Sequence, residues 1–330
     1  MIEVISCGPM VTVQDDGRPG HLAQGLACGG AADPTARTEA AALLAVTAKD
    51  LGAGIEMPGA PLQFLIGTDI LLALTGAPMA ASVDARPLAW GAAHPLVAGS
   101  VLTLRPRGEG TYSYVHVPGG LHTPAVLGSR ATHLAVGIGR PLRAGDILPC
   151  AASTGSARRL AGGEDRMGGG ELRLVPTPQT RLFPLKARER FEATTFRRDL
   201  RGNRQGVRLA SDGKGFATGG QLTLLSDFVL PGDVQMTGDG IPYILGPECQ
   251  TTGGYPRIGT VIRADLARAM QAPPGVPIRF RFVTVEDARG ATSPPPRTEP
   301  LVRAPGEVQG LLGMQLVGGV VSAHAAEGEA

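Results

Sequence analysis

The stretch Leu62-Gln63-Phe64-Leu65-Ile66-Gly67-Thr68-Asp69-Ile70-Leu71-Leu72-Ala73-Leu74-Thr75 decides the fold class. It holds two short apolar runs, Leu62–Ile66 and Asp69–Thr75, broken by a glycine and an aspartate turn, which is the spacing of successive strands. The pattern continues outward. Ser100–Leu104 and Thr111–Val117 read as strands on the C-terminal side, and Ile2–Ser6 and Met10–Val13, split by Gly8-Pro9, on the N-terminal side. The 48 glycines and 28 prolines are about twice the usual combined share and recur between these runs, so turns are frequent and strands short. One helix interrupts them. Asp33 stands as an N-cap with Pro34 at the first helical position, and Ala36, Ala40, Leu43 and Leu44 recur on one face, which predicts a helix from Pro34 to about Thr47.

A chain of 330 residues exceeds what one hydrophobic core organises, so two domains are expected. The first is a β domain over residues 1–155. The glycine-heavy stretch 156–170 reads as a linker. A second β domain over 171–290 restarts with the strand Glu171–Pro176 and adds a short helix after Asp265 and a strand Ile278–Val285. Residues 291–330 form a Pro-rich segment, Ser293–Pro296, and an apolar tail, Val308–Ala323, expected to dock on the protein body or on a partner. The fold class is therefore mainly β with a few short helices.

Composition narrows the function. A net charge of +2 with scattered basic residues gives no footprint for nucleic acid. No run of eighteen or more apolar residues occurs, and Met1-Ile2-Glu3-Val4 opens no signal segment, so a cytoplasmic protein without a membrane span is expected. Cys7, Cys28, Cys150 and Cys249 form no C-x-x-C pair and have no histidine at ligand spacing, so no metal site is expected. The phosphate loop, the nucleophile elbow and the H-E-x-x-H zinc motif are all absent.

Four stretches carry candidate chemistry. Gln14–His21 brings Asp15 and Arg18 into a glycine-containing loop that suits a bound anion, or else forms a turn closed by an Asp15–Arg18 ion pair. Gly128-Ser129-Arg130 presents hydroxyl, guanidinium and backbone donors from one turn, or is only a capped turn. His133, without a neighbouring partner in sequence, is a poor catalytic candidate. In Asn203–Leu209, strand alternation sets Arg204, Gly206 and Arg208 on one face, an anion slot with room for a ligand, unless both arginines are solvated surface residues. The fourth stretch runs from Gln235 through the hairpin signal Asp239-Gly240 to Glu248-Cys249-Gln250-Thr251-Thr252-Gly253-Gly254-Tyr255. It places Gln235 against Glu248–Thr252 across paired strands. Amide, hydroxyl and exposed backbone donors there are the kit for holding an amide or carboxylate and an oxyanion formed from it.

Five motifs in order resemble those of the KipA/allophanate hydrolase subunit 2 family: Thr12–Gly20, Gly30–Asp33, Leu74–Ala77, Gly128–Thr132 and Gln250–Pro256. The resemblance covers about residues 1–288. It implies tandem cyclophilin-like β-barrel domains and a hetero-oligomer in which this chain joins a smaller cyclophilin-fold protein, the B subunit, and an A subunit. It implies a component of an ATP-dependent 5-oxoprolinase, which opens a lactam to glutamate, with the carboxyltransferase component of a biotin-dependent urea carboxylase, or a regulator of a sensor-kinase inhibitor, as alternatives. Biotin would come from another chain, since no Ala-Met-Lys-Met setting occurs here. On this reading Arg204 and Arg208 hold a carboxylate or phosphate, and Gln250, Thr251 and the Gly253-Gly254 amides polarise a carbonyl. Gln235, Thr252, Tyr255, Asp15, Arg18, Ser129 and Arg130 complete the binding set, and Glu248 and Asp239 are the candidate proton carriers. Where relatives usually carry D-R-Q-T-T-G-G-Y, this chain has Glu248-Cys249-Gln250-Thr251-Thr252-Gly253-Gly254-Tyr255.

Overall fold

The computed structural model describes residues 1–162, 165–216 and 225–302. Ile2–Cys7, Leu62–Ile66, Met79–Val83 and Val101–Pro106 belong to one six-stranded sheet. Thr12–Gln14, Gly54–Pro58, Ile70–Gly76, Ala92–Leu96 and Tyr112–His116 belong to a second sheet of seven strands. Inward-facing residues of both sheets, among them Val4, Phe64, Leu102, Ile55, Leu72 and Val115, form one core. Leu62–Ile66 alternates buried and half-buried residues because only one of its faces is covered. Ile70–Gly76 is buried at nearly every position. Its outer face, with Leu71 and Ala73, packs on the helix Pro34–Leu44, and the outer face of Tyr112–His116 packs on the second half of the chain.

That helix follows the expected signals. The Asp33 carboxylate accepts from the Ala36 amide at 3.0 Å and proline occupies the first turn. Ala45, at φ 55°, ends the helix after Leu44.

In the second half, Gly170–Val175, Phe196–Arg198, Gly206–Ala210, Asp233–Met236, Pro242–Leu245, Arg257–Val261 and Pro277–Phe282 close into a barrel. Gly170–Val175 and Pro277–Phe282 pair in parallel, and every other pair is antiparallel. Alternation puts Val207, Leu209, Val234, Met236 and Ile244 inside, where Phe191, Phe196, Phe216 and Phe280 stack on one another.

The last strand expected in this half ends earlier than the apolar run suggests. Thr284 leaves the barrel and caps a helix, Val285–Gly290, in a reciprocal capping box with Asp287. The stretch read as a linker contains the strand Arg158–Leu160, which extends the second sheet of the first half and pairs with Thr298–Pro300. The chain thus crosses from the second half back to the first. The expected docking tail, Val308–Ala323, lies outside the described residues.

Candidate functional site

The Asp239-Gly240 hairpin forms as read: the Gly240 amide donates to the Thr237 carbonyl at 2.8 Å, and Asp233–Met236 pairs with Pro242–Leu245. Gln235 lies across from Tyr243 on one side and Arg257 on the other. Residues Glu248–Thr251 do not pair with it as a strand. They form a loop beside it, and Thr252–Gly253 pairs with Asp227–Phe228. Because the even-numbered neighbours of Gln235 fill the barrel, its own side chain faces outward.

There it meets Gln250. Gln250 Nε2 donates to Gln235 Oε1 at 2.9 Å, while Gln235 Nε2, on a residue only 3% exposed, has no hydrogen-bond partner. Such an orphaned amide costs about 1–3 kcal/mol of desolvation. Both glutamines line a cleft of about 350 Å³ on the outer face of the barrel, with Arg201, Tyr243 and the half-exposed Tyr255. Gly206 also lines this cleft, and a Cβ there would stand 3.0 Å from the Ile244 carbonyl oxygen. A Cβ on Gly253 would stand 2.7 Å from Gln235 Nε2 and 3.4 Å from Gln250 Nε2, so glycine there lets the amide pair assemble.

Other expected site residues lie elsewhere. Arg204 is buried between the two halves of the chain. Its Nε donates to Glu248 Oε1 at 2.5 Å, its Nη2 to the Gly30 carbonyl at 2.6 Å, and its Nη1 to Glu56. Glu248 Oε2 accepts from the amides of Leu134 and Ala135 at 2.9 and 3.2 Å. Every nitrogen of Arg204 and both oxygens of Glu248 are engaged by protein partners, most of them across the halves, so both groups serve to join the halves. Arg208 does not share the slot expected with Arg204, because it pairs with Asp199, which Arg201 also grips at 2.8 Å. Those hydrogen bonds, Arg201's first, hold the Asp199 carboxyl well below the ordinary range. Asp239 is exposed at the hairpin tip, away from the glutamine pair. Thr251 is buried, Thr252 exposed, and Gly253 and Gly254 half-buried around the same loop. Cys249 sits in a small apolar cluster with Val229 and Leu245, and burial pushes its thiol up to about 12.

The N-terminal candidates form a separate cluster. Asp15 does not pair with Arg18. Its carboxylate accepts from the Gly17 amide at 2.8 Å, from Ser129 Oγ at 2.6 Å and from the Arg130 amide at 2.6 Å, locking two loops together. Arg18 is buried, with Nε donating to the Val126 carbonyl at 3.3 Å and Nη2 to that of Ala131. Ser129 and Arg130 face a second cleft with it.

Sequence reading missed the partners of these groups. Glu56 is buried, accepting from the Ala32 amide at 2.8 Å and the Tyr114 hydroxyl at 2.7 Å. Gln271, fully buried, bridges Asp33 at 2.8 Å and the Thr111 and Tyr112 amides at 3.0 and 2.8 Å. His133 is buried 3.9 Å from Glu248 with neither ring nitrogen bonded, and burial lowers its pKa. Glu56 and Gln271 lie in apolar strand and helix patterns, where an isolated charge or amide gives no signal of its contact across the halves. Tyr243 was legible in principle, standing opposite Gln235 in the hairpin. Among the described residues no cluster of three or more His, Cys, Asp or Glu is placed to hold a metal ion.

A sequence model of the carboxyltransferase domain, subdomain A and B, matches residues 24–282. The chain is 35% identical over 292 residues to the C subunit of 5-oxoprolinase from Escherichia coli, covering 87% of this chain and 93% of that protein. It is 28% identical over 309 residues to a putative urea carboxylase of Emericella nidulans, covering 87% of this chain and 24% of that one. The crystal structure of Kluyveromyces lactis urea carboxylase has the same fold, with a TM-score of 0.77 at 22% identity over 87% of this chain and 28% of that one.

Proposed function

From the premise that the chain belongs to the family of the carboxyltransferase domain, subdomain A and B, we propose that it is the C subunit of a 5-oxoprolinase. Together with the A and B subunits it would open the lactam of 5-oxoproline to glutamate at the expense of ATP. The observation that carries the reading is the orphaned Gln235 Nε2 facing a cleft beside Gln250. A lactam satisfies that pair in one orientation. Its carbonyl oxygen accepts from Gln235 Nε2, and its ring N–H donates to Gln250 Oε1. Arg201, on the cleft wall, shares the single Asp199 carboxylate with Arg208, and the net positive charge of that group faces the ligand carboxylate.

The amide donor polarises the carbonyl toward attack and remains bonded to the oxygen as negative charge develops on it. Tyr255 and Tyr243 wall the cleft and limit water around the ring. Glu248 holds the Gln250 loop in place through Arg204 rather than moving a proton. ATP, bound by the complex, would supply activation of the carbonyl oxygen.

A second reading is supported by the description of the family model and by the likeness to the putative urea carboxylase of Emericella nidulans. A carboxyltransferase passing a carboxyl group from biotin on another chain to an amide would use the same pair to hold the amide acceptor. Reconstitution with the A and B subunits separates the two. The first reading expects 5-oxoproline-dependent ATP hydrolysis that vanishes when this chain is omitted, whereas hydrolysis that proceeds equally without it refutes that reading.

A further inference from the structure

We propose that the first half of the chain carries a second ligand site, for a small organic anion, in the cleft between the loops Thr123–Thr132 and Ile138–Leu148. This cleft has a volume of about 390 Å³ and is distinct from the one at Gln235, with which it shares no lining residue. Its polar wall is basic. Arg18, Arg130 and Arg140 line it against one carboxylate, Asp146. Arg140 and Asp146 neutralise each other through two hydrogen bonds at 2.7 and 2.8 Å. Asp15 stands behind the wall, and its oxygens accept from Gly17, Ser129 and Arg130 backbone or hydroxyl donors rather than from a guanidinium. Two guanidiniums therefore remain against one carboxylate that neither of them bonds.

Two observations point to an anion, beside a fixed positive charge. That charge is Arg18, 1% exposed, which stands behind the wall with Nε and Nη2 bonded to the Val126 and Ala131 carbonyls and its unpartnered Nη1 toward Gly29 and His133. Thr123 Oγ1, also on the cleft wall, is buried and without a partner. The Arg130 guanidinium makes no hydrogen bond or ion pair among the described residues, although its backbone amide is fixed by Asp15 at 2.6 Å. The Val126–Ser129 turn that presents this wall is held by reciprocal backbone bonds of 2.8 and 3.2 Å, and Leu127 is kept at φ 52°. The backbone that carries Arg130 is thus fixed before any ligand arrives. Opposite them, Val13, Ile138, Leu142 and Leu148 make an apolar wall. Guanidinium and hydroxyl donors facing aliphatic side chains suit a carboxylate or phosphate on a compact apolar body.

The test is calorimetric titration of the full chain with butanoate, with inorganic phosphate and with neutral butanamide. Saturable binding of butanoate or phosphate is expected, at least about tenfold tighter than butanamide, the factor of one charge-assisted hydrogen bond. Butanoate alone marks a carboxylate site, and phosphate alone a phosphate site. Arg130→Ala and Thr123→Val are each expected to weaken binding by about tenfold or more with unchanged thermal unfolding, because neither side chain holds another element. Gln235→Leu is expected to leave it unchanged. No saturable binding of either anion, equal binding of butanamide, or anion binding that survives Arg130→Ala and falls with Gln235→Leu would overturn the proposal.

Discussion

Gln235 is the residue on which the functional reading turns. Its Oε1 is engaged by Gln250 while its Nε2 is buried and orphaned. Replacing it with leucine removes the orphan and leaves Gln250 to solvent, so stability is expected to change by less than about 1 kcal/mol in urea unfolding. Glu248 behaves oppositely. Glu248→Ala strands Arg204 and the Leu134 and Ala135 amides, and a loss of about 3–5 kcal/mol is expected for breaking a buried pair from one side. A variant that unfolds like the native chain but has lost all turnover would restore Glu248 as a proton carrier. The contrast shows what residue types reveal. The glutamines, the threonines and Gly253-Gly254 were legible as polar groups without a structural use. The burial of Glu248 and Arg204 was not, because their partners Glu56, Gly30 and Leu134 are distant in sequence and belong to the other half.

At the scale of elements, short apolar runs gave the strands, and Asp33-Pro34 gave the helix, because those signals are local. The strand Arg158–Leu160 was hidden in a glycine-rich stretch, since its pairing with Thr298–Pro300 and Ala92–Ala93 comes from residues far along the chain. The Thr284–Asp287 capping box carries a local signal and was readable. In the loop beside the barrel, Gly253→Ala places a methyl 2.7 Å from Gln235 Nε2 and is expected to cut 5-oxoproline binding about tenfold or more while leaving thermal unfolding nearly unchanged. Full affinity in that variant would mean that the amide pair does not contact the ligand.

The strand Tyr112–His116 gives a pH dependence. His116 is buried with Arg37 Nη1 3.3 Å from its Nε2, and burial first, then the Arg37 charge, holds its pKa well below the ordinary value. Folded His116 therefore stays neutral where the unfolded chain, near pKa 6.5, takes up a proton. The stabilising contribution is complete above about pH 6.5 and is lost as pH falls below it, by roughly 1.4 kcal/mol per pH unit. His133, lowered in the same direction by burial, adds to the slope. Urea unfolding followed from about pH 8 to about pH 5 is expected to show this decline, and His116→Gln to flatten it. An unchanged slope in that variant would place the titration elsewhere.

Across the whole molecule, two β units meet over an apolar contact, with Tyr112 and Tyr114 against the second half, that is crossed by a buried polar seam. Arg204 joins Glu56 and Gly30 of one half to Glu248 of the other, and Gln271 of the second half and Arg166 of the connecting stretch both bond Asp33, Asp33 and Arg166 being 2.7 Å apart. A seam of this kind fixes one relative placement of the halves, because every displacement strands a charge. It also brings the loop Glu248–Thr251 to the barrel face where Gln235 waits. The family is shared with the C subunit of 5-oxoprolinase from Escherichia coli. No sequence pattern disclosed the seam, which is built from single residues far apart in the chain.

The most direct measurement is the initial rate of ATP hydrolysis against 5-oxoproline concentration in the complex reconstituted with the A and B subunits, for the native chain and for Gln235→Leu. Loss of one hydrogen bond to the lactam carbonyl is expected to lower kcat/KM by about tenfold or more with the complex still assembled. A native kcat/KM in the assembled Gln235→Leu complex would contradict the assignment of this cleft to the substrate.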